Sequence, residues 1–215
     1  MLRRVCVTIL AMAMSIGCAS AKGLAPEPHL PAAATIMHVS AETAAPSAFI
    51  DFCRRTGFEC EPDMSARGRV ELTPQRWSEL SEVNDTINRT VIARSDISAY
   101  GTTDYWTLAG KFGDCEDYAL TKQLLLRQRG WPMSALLMTV VRDENGEGHA
   151  ILTVRTSRGD YVLDNRQAQI VGWSATPYQY VKRQSSFSPR VWMALETRAD
   201  RPGEASVAAL PVSKR

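Results

Sequence analysis

At Gly130-Trp131-Pro132 the chain changes its period, and this break constrains the fold more than any other feature. Upstream, apolar residues recur at helical steps. Thr73-Pro74 is a helix start, with Thr at the cap and Pro at the first helical position. Trp77, Leu80, Val83, Ile87 and Val91 follow at three- and four-residue intervals, which predicts an amphipathic helix of about five turns. Asn84 and Asn88 lie beside this stripe, placed to bond a neighbouring loop or to face solvent. A short helix is expected over 47–55, with Phe49, Phe52 and Cys53 on one face and Gly57 at its end. Another is expected from Cys115 to Arg129, with Asp114 as its cap and Ala119, Leu120, Leu124 and Leu125 as its buried face. Gly130 and Pro132 stop it. Residues 95–113 mix turn formers with Tyr100, Tyr105 and Trp106, the pattern of an ordered loop.

Downstream of the break, short strands are expected over 134–141, 149–154, 161–164 and 190–196, with turns over 143–148 and 157–160. Successive strands joined by turns make an antiparallel sheet. Helices first and sheet afterwards give an α+β fold, N-terminal helices packed on an antiparallel sheet. There is no internal repeat.

The ends of the chain read differently. Arg3 and Arg4 precede an apolar run from Val5 to Ile16, and Ala19-Ser20-Ala21 fits a small-x-small cleavage site. Residues 1–21 are expected to be a secretory signal peptide. The apolar run is short for a bilayer core of about 30 Å, and the residues before Cys18 lack the aliphatic position of a lipobox. The mature protein is therefore expected in the periplasm of a Gram-negative host. Residues 22–45 form an Ala/Pro-rich linker in this reading, 46–197 the folded domain, and 198–215 a disordered tail. The 25 Lys and Arg stand against 23 Asp and Glu. Without Arg3 and Arg4 the balance is 23 against 23, so the chain has neither a basic footprint for nucleic acid nor a polybasic membrane patch.

Export alters the cysteine arithmetic. Cys6 and Cys18 leave with the signal, and Cys53, Cys60 and Cys115 remain. Three cysteines in an oxidising compartment suggest one bridge and one free thiol. A turn around Thr56-Gly57 would bring Cys53 and Cys60 together and leave Cys115 over.

Cys115 opens a helix, where unpaired backbone N–H groups and the positive end of the dipole favour a thiolate and can hold an oxyanion. His149 opens a strand after a Gly-rich turn, and Asp164 ends the next strand. The two are 15 apart with a turn midway, so a hairpin brings them together. His29 and His38 fall in the linker, which leaves His149 as the core histidine. A Cys115-His149-Asp164 triad follows, with Asp164 orienting His149 and His149 deprotonating Cys115. Zinc would need more ligands than one Cys and one core His.

Asp114 and Glu116 flank Cys115, and Asp117 follows. Acids suit a helix start, but carboxylates beside a thiol oppose its ionisation. Ca²⁺, which takes several oxygen ligands, would cancel that field. The acidic turn Asp143-Glu144-Asn145-Gly146-Glu147 is a rival calcium site. Asp117 serves either the helix or a substrate groove, which Trp106 lines unless it is a core aromatic.

Gly113-Asp-Cys-Glu-Asp-Tyr-Ala119, Gly148-His149-Ala150 and Leu163-Asp164-Asn165 resemble the bacterial transglutaminase-like cysteine proteinases, the periplasmic LapG-type group. Phe49-x-x-Phe52-Cys53, Leu72-Thr73 with Trp77, Val83-Asn84-x-x-x-Asn88, Tyr100-Gly101, Asp104-Tyr105-Trp106 and Trp192 extend the resemblance over nearly the whole domain. It implies a papain-like, transglutaminase-like cysteine protease fold. It also implies Cys115, His149 and Asp164 as the triad, and Asp114 and Glu116 as calcium ligands. By the same resemblance the substrate is a large surface adhesin cut near its N-terminus to control biofilm, under an inner-membrane receptor that responds to cyclic di-GMP. The chain is expected to act as a monomer. The same fold also carries transglutaminase or amidase chemistry and non-catalytic binding modules, and the triad residues alone do not choose among these.

Overall fold

The computed structural model describes residues 29–57, 60–62 and 68–196. The expected signal peptide and C-terminal tail lie outside the described residues. No helix among the described residues is long and apolar enough to cross a membrane.

Two longer helices lie in the first half of the described chain. α1 (Ser47–Thr56) buries Phe49, Phe52 and Cys53 and ends at Gly57, whose φ of 61° lets its N–H reach Cys53 O. α2 (Pro74–Thr90) begins as expected: Thr73 Oγ1 accepts from the Arg76 N–H at 3.2 Å and Pro74 takes the first helical position. Leu80, Val83 and Ile87 form its buried face. The loop expected over 95–113 contains more structure. β2 (Ile92–Ala93) and β3 (Phe112–Gly113) pair in parallel, with α3 (Asp96–Tyr100) between them.

α4 (Cys115–Gln128) follows. Its buried face differs from the expected one. Leu126, Lys122 and Gln123 are buried with Ala119 and Leu120, whereas Leu124 and Leu125 are half-buried. Polar Lys122 and Gln123 hid the true stripe because each bonds inside the fold.

A seven-stranded antiparallel sheet carries the rest, in the order β1-β9-β8-β4-β5-β6-β7. Its strands are β1 (Val39–Thr43), β4 (Leu136–Arg142), β5 (Gly148–Thr156), β6 (Gly159–Leu163), β7 (Val171–Gly172), β8 (Gln179–Gln184) and β9 (Trp192–Leu195). Leu136, Met138, Leu152, Val154, Tyr161 and Leu163 meet α1, α2 and α4 in the main core, which also takes Trp106 and Trp192. Met37, Val141, Ile151, Val162, Trp173, Tyr180 and Leu195 pack into a second cluster. The α+β expectation holds.

The described part of the expected 22–45 linker is integral to the fold. Ala34 N donates to Arg158 O at 2.8 Å, Asp160 N to Thr35 O at 3.1 Å, and Met37 N to Asp160 Oδ2 at 2.6 Å. Gly159 sits at φ 111°, and a Cβ there would run into Ala34 O. The segment then crosses to the far edge of the sheet, where β1 pairs with β9. Its attachments are mostly main-chain hydrogen bonds, which leave no side-chain period to detect. β8 escaped for a related reason. Its buried positions include Arg183 and Gln184, and Gln184 Oε1 accepts from Met138 N at 2.9 Å and Gln123 Nε2 at 3.2 Å.

Cys53 and Cys60 form a disulfide with Cα atoms 5.8 Å apart, and Cys115 is the free thiol among the described residues. A bridge closing so short a loop contributes about 2 kcal/mol. The Cys53→Ser/Cys60→Ser double variant should unfold at correspondingly lower denaturant. Thiol counting on the denatured mature protein should find one reactive group, and three would contradict the bridge.

Candidate active site

α4 begins in a crowded corner. A Cβ on Gly113 would lie 2.8 Å from Asp117 Cβ and 3.0 Å from its Oδ2, so the approach of β3 to the first turn requires glycine. Asp114 holds the N-cap position in extended conformation, but its side chain caps nothing. The expectation of a capping Asp114 is corrected: Asp114 Oδ2 instead accepts from the Asp96 N–H at 3.2 Å. The first residue of the helix is Cys115.

The Cys115 thiol donates to Glu116 Oε2 at 3.1 Å, and the Ala150 N–H donates to Sγ at 3.4 Å. Burial pushes the thiol well above its ordinary value. The Glu116 charge adds to this, and the Ala150 N–H opposes it. The dipole of α4 does not by itself yield a thiolate here.

His149 and Asp164 meet as expected, with Nε2 2.9 Å from Oδ1. The ladder pairs Leu152 with Leu163, so Asp164 lies just past the last rung and the contact is diagonal rather than directly opposed. Burial pushes Asp164 up, but hydrogen bonds from His149, the Arg166 N–H and Tyr178 outweigh it and hold the carboxyl below its ordinary value. An ionised carboxylate only accepts, so Nε2 carries the proton. Nδ1 of His149 is buried with no partner. Cys115 and His149 line one cleft of about 360 Å³, together with Trp106, Val140, Ala150 and Lys182. Trp106 lines this cleft and also packs edge-on against Phe49 in the core.

Tyr178 is a residue the sequence did not flag. Its hydroxyl donates to Asp164 Oδ2 at 2.5 Å and its ring stands edge-on to His149, 5.5 Å between centroids. Nothing in the 173–178 stretch marks it as part of a site.

The acidic residues divide. Asp96, Asp114 and Glu116 each offer an oxygen within 4.8 Å of the others. Asp96 is buried, accepts a short hydrogen bond from Tyr105 N, and was missed because α3 lies within the expected loop. Asp96 Oδ1 and Asp114 Oδ1 are buried without a partner. Burial and the neighbouring Asp114 push Glu116 up to about 9, and burial, followed by the Asp96 charge among the raising influences, raises Asp114. Two orphaned buried oxygens facing a third carboxylate fit a hard divalent cation. Asp117 lies outside this cluster: its Oδ1 accepts from Thr107 N at 2.8 Å, while its Oδ2 is buried without a partner. The rival turn does not fit a cation. Asp143 Oδ1 accepts from Asn145 N and Glu147 N, and its Oδ2 is 2.7 Å from Arg166 Nη1.

A thiol at a helix start, sharing a cleft with a strand histidine that a carboxylate holds at one nitrogen, is the arrangement of papain-like thiol enzymes, which include both hydrolases and acyltransferases. The family narrows the class. Residues 39–200 match the model of the bacterial transglutaminase-like cysteine proteinases, and the chain belongs to that family, a family of cysteine proteases.

No curated protein matches the chain. Among solved structures it is similar to Legionella pneumophila LapG, at 25% identity over 55% of this chain and 68% of that one, with a TM-score of 0.46. The calcium-bound form gives 23% identity over 62% and 74%, and the EGTA-treated form 24% over 57% and 72%, both with a TM-score of 0.46.

Proposed function

We propose that this protein is an exported, calcium-dependent cysteine endopeptidase with the triad Cys115, His149 and Asp164. Its substrate in this reading is the N-terminal region of a large surface adhesin, whose cleavage releases the adhesin and limits biofilm. A signal peptide over 1–21 delivers the enzyme to the periplasm, where an inner-membrane cyclic-di-GMP receptor restrains it. The observation that carries the catalytic reading is the imidazole of His149, gripped at Nε2 by Asp164 and unpartnered at Nδ1, in one cleft with the Cys115 thiol. The biological role rests on the motif resemblance and on the signal-like N-terminus.

In this mechanism His149 Nδ1 takes the thiol proton, and Sγ attacks the scissile carbonyl. The backbone N–H groups of the first turn of α4 face the resulting oxyanion. Collapse forms a thioester, and His149 returns the proton to the leaving amine. Water, deprotonated by His149, then hydrolyses the thioester and restores the thiol. Asp164 keeps the imidazole in the tautomer that leaves Nδ1 open and stabilises the imidazolium. Asp96, Asp114 and Glu116 would hold Ca²⁺, which offsets the negative charge opposing the thiolate.

The test is incubation of the mature protein, with Ca²⁺, with an N-terminal fragment of the large repeat adhesin encoded nearest its gene. Sizing of the products should show two defined fragments. Crosslinked species or an unchanged fragment would overturn the reading. Cell fractionation and N-terminal sequencing of the secreted form should find a periplasmic protein that begins at Lys22.

A further inference from the structure

The carboxylate of Asp164 sits on a stretch of chain that the sheet does not hold. β6 ends at Leu163 and β7 starts at Val171, so residues 164–170 lack a strand ladder. Two asparagines of α2, one turn apart on one face, hold it instead. Asn88 Nδ2 donates to Asp164 O at 2.8 Å and to Gln167 O at 3.4 Å. Asn84 Nδ2 donates to Ala168 O at 3.2 Å. Asn84 is in turn held from α4, where Lys122 Nζ donates to its Oδ1 at 2.8 Å.

Lys122 is seven residues after Cys115 in α4, two turns along the same face. It is fully buried. Burying an ammonium group is costly unless it is hydrogen-bonded, and a residue placed there for packing alone would be apolar. Burial pushes its amine down to about 7, and Asp164 is the largest influence in the opposite direction. The helix that bears the thiol and the loop that bears the carboxylate are thus joined through one amide.

We propose that Asn88, with Asn84 and Lys122 behind it, is a positioning residue that sets the main chain of Asp164 and so aims the His149 imidazole. The proposal rests on the triad reading above. Neither asparagine lines the cleft: Asn88 acts on Asp164 directly, and Asn84 holds the same loop at Ala168. The network uses residues from three separate elements, so a shift of α2 against α4 would be felt at the triad.

Asn88→Asp is the sharpest test, because it keeps the shape and replaces the N–H donor with an oxygen facing two carbonyls. Asn88 is half-buried, so the variant should fold, and Asn88→Ala provides a second variant without the repulsion. On the adhesin fragment, with Ca²⁺, kcat should fall by about tenfold or more while KM stays within about twofold, the signature of lost alignment rather than lost binding. With histidine labelled by ¹⁵N, the His149 Nε2–H signal should broaden or shift, and the other two histidines, His29 and His38, should not change. An unchanged kcat in Asn88→Asp beside an inactive Cys115→Ala would overturn the positioning role alone. So would a loss of kcat that follows melting temperature while the His149 signal is retained. Cleavage by Cys115→Ala would overturn the triad reading itself, and the network's catalytic meaning with it.

Discussion

Cys115→Ala and His149→Ala should each abolish cleavage of the adhesin fragment while leaving the fold intact. Removing a nucleophile or its base costs on the order of 10⁶ in kcat where the two act as a unit. Neither side chain carries the core. Cys115 is half-buried at a helix start, and His149, though buried, is the second residue of β5 and lines the cleft rather than the apolar core. Asp164 should separate into two results. Asp164→Asn keeps an amide oxygen to accept from His149 Nε2 and the Arg166 N–H, and the Tyr178 hydroxyl can turn to accept from the new amide. What it loses is the charge that stabilises the imidazolium, worth roughly tenfold to a hundredfold. Asp164→Ala also loses the tautomer control and should fall further. Circular dichroism on each variant separates chemistry from folding. Activity near that of the wild type in Cys115→Ala or His149→Ala would remove the triad.

Much of this geometry was legible in the chain because local signals carry it. Thr73-Pro74 starts α2, Gly57 ends α1, and Gly113 precedes a helix whose first residue is the thiol. The hairpin arithmetic brought His149 to Asp164 with an error of one diagonal step. What stayed hidden depends on tertiary contact. Asp96 looks like any loop acid until α3 turns it toward Asp114. Tyr178 has no pattern around it. Asn84 and Asn88 stood out by their spacing, but only the packed loop shows that they hold the backbone after β6. The Ala/Pro segment ran against expectation because it docks by backbone groups, which every sequence has.

Chelation with EGTA should stop cleavage, and added Ca²⁺ should restore it. Three carboxylates share one small volume at Asp96, Asp114 and Glu116, and two of their buried oxygens have no donor. Protonation is the alternative relief from that crowding, and Glu116 illustrates it, pushed up to about 9 by burial and by Asp114. Asp117 is raised to about 7, chiefly by burial. The sign of the pH effect follows. Above the ordinary values, 4.5 for Glu116 and 3.8 for Asp117, the unfolded chain has released these protons while the folded chain retains them. The ion-free protein therefore loses stability as pH rises from about 4 to about 9. Ca²⁺ competes with the Glu116 proton, so the gap in melting temperature between Ca²⁺ and EGTA should be larger at pH 8 than at pH 5. Asp96→Ala, Asp114→Ala and Glu116→Ala should each weaken Ca²⁺ binding by roughly tenfold or more, since ligand charge sets affinity. Glu144→Ala and Glu147→Ala should leave it unchanged, because Arg166 already occupies Asp143 in that turn. Isothermal titration with Ca²⁺ distinguishes the two sites: a loss confined to the 143–147 variants would move the ion to the turn, and full cleavage in EGTA would end the calcium requirement.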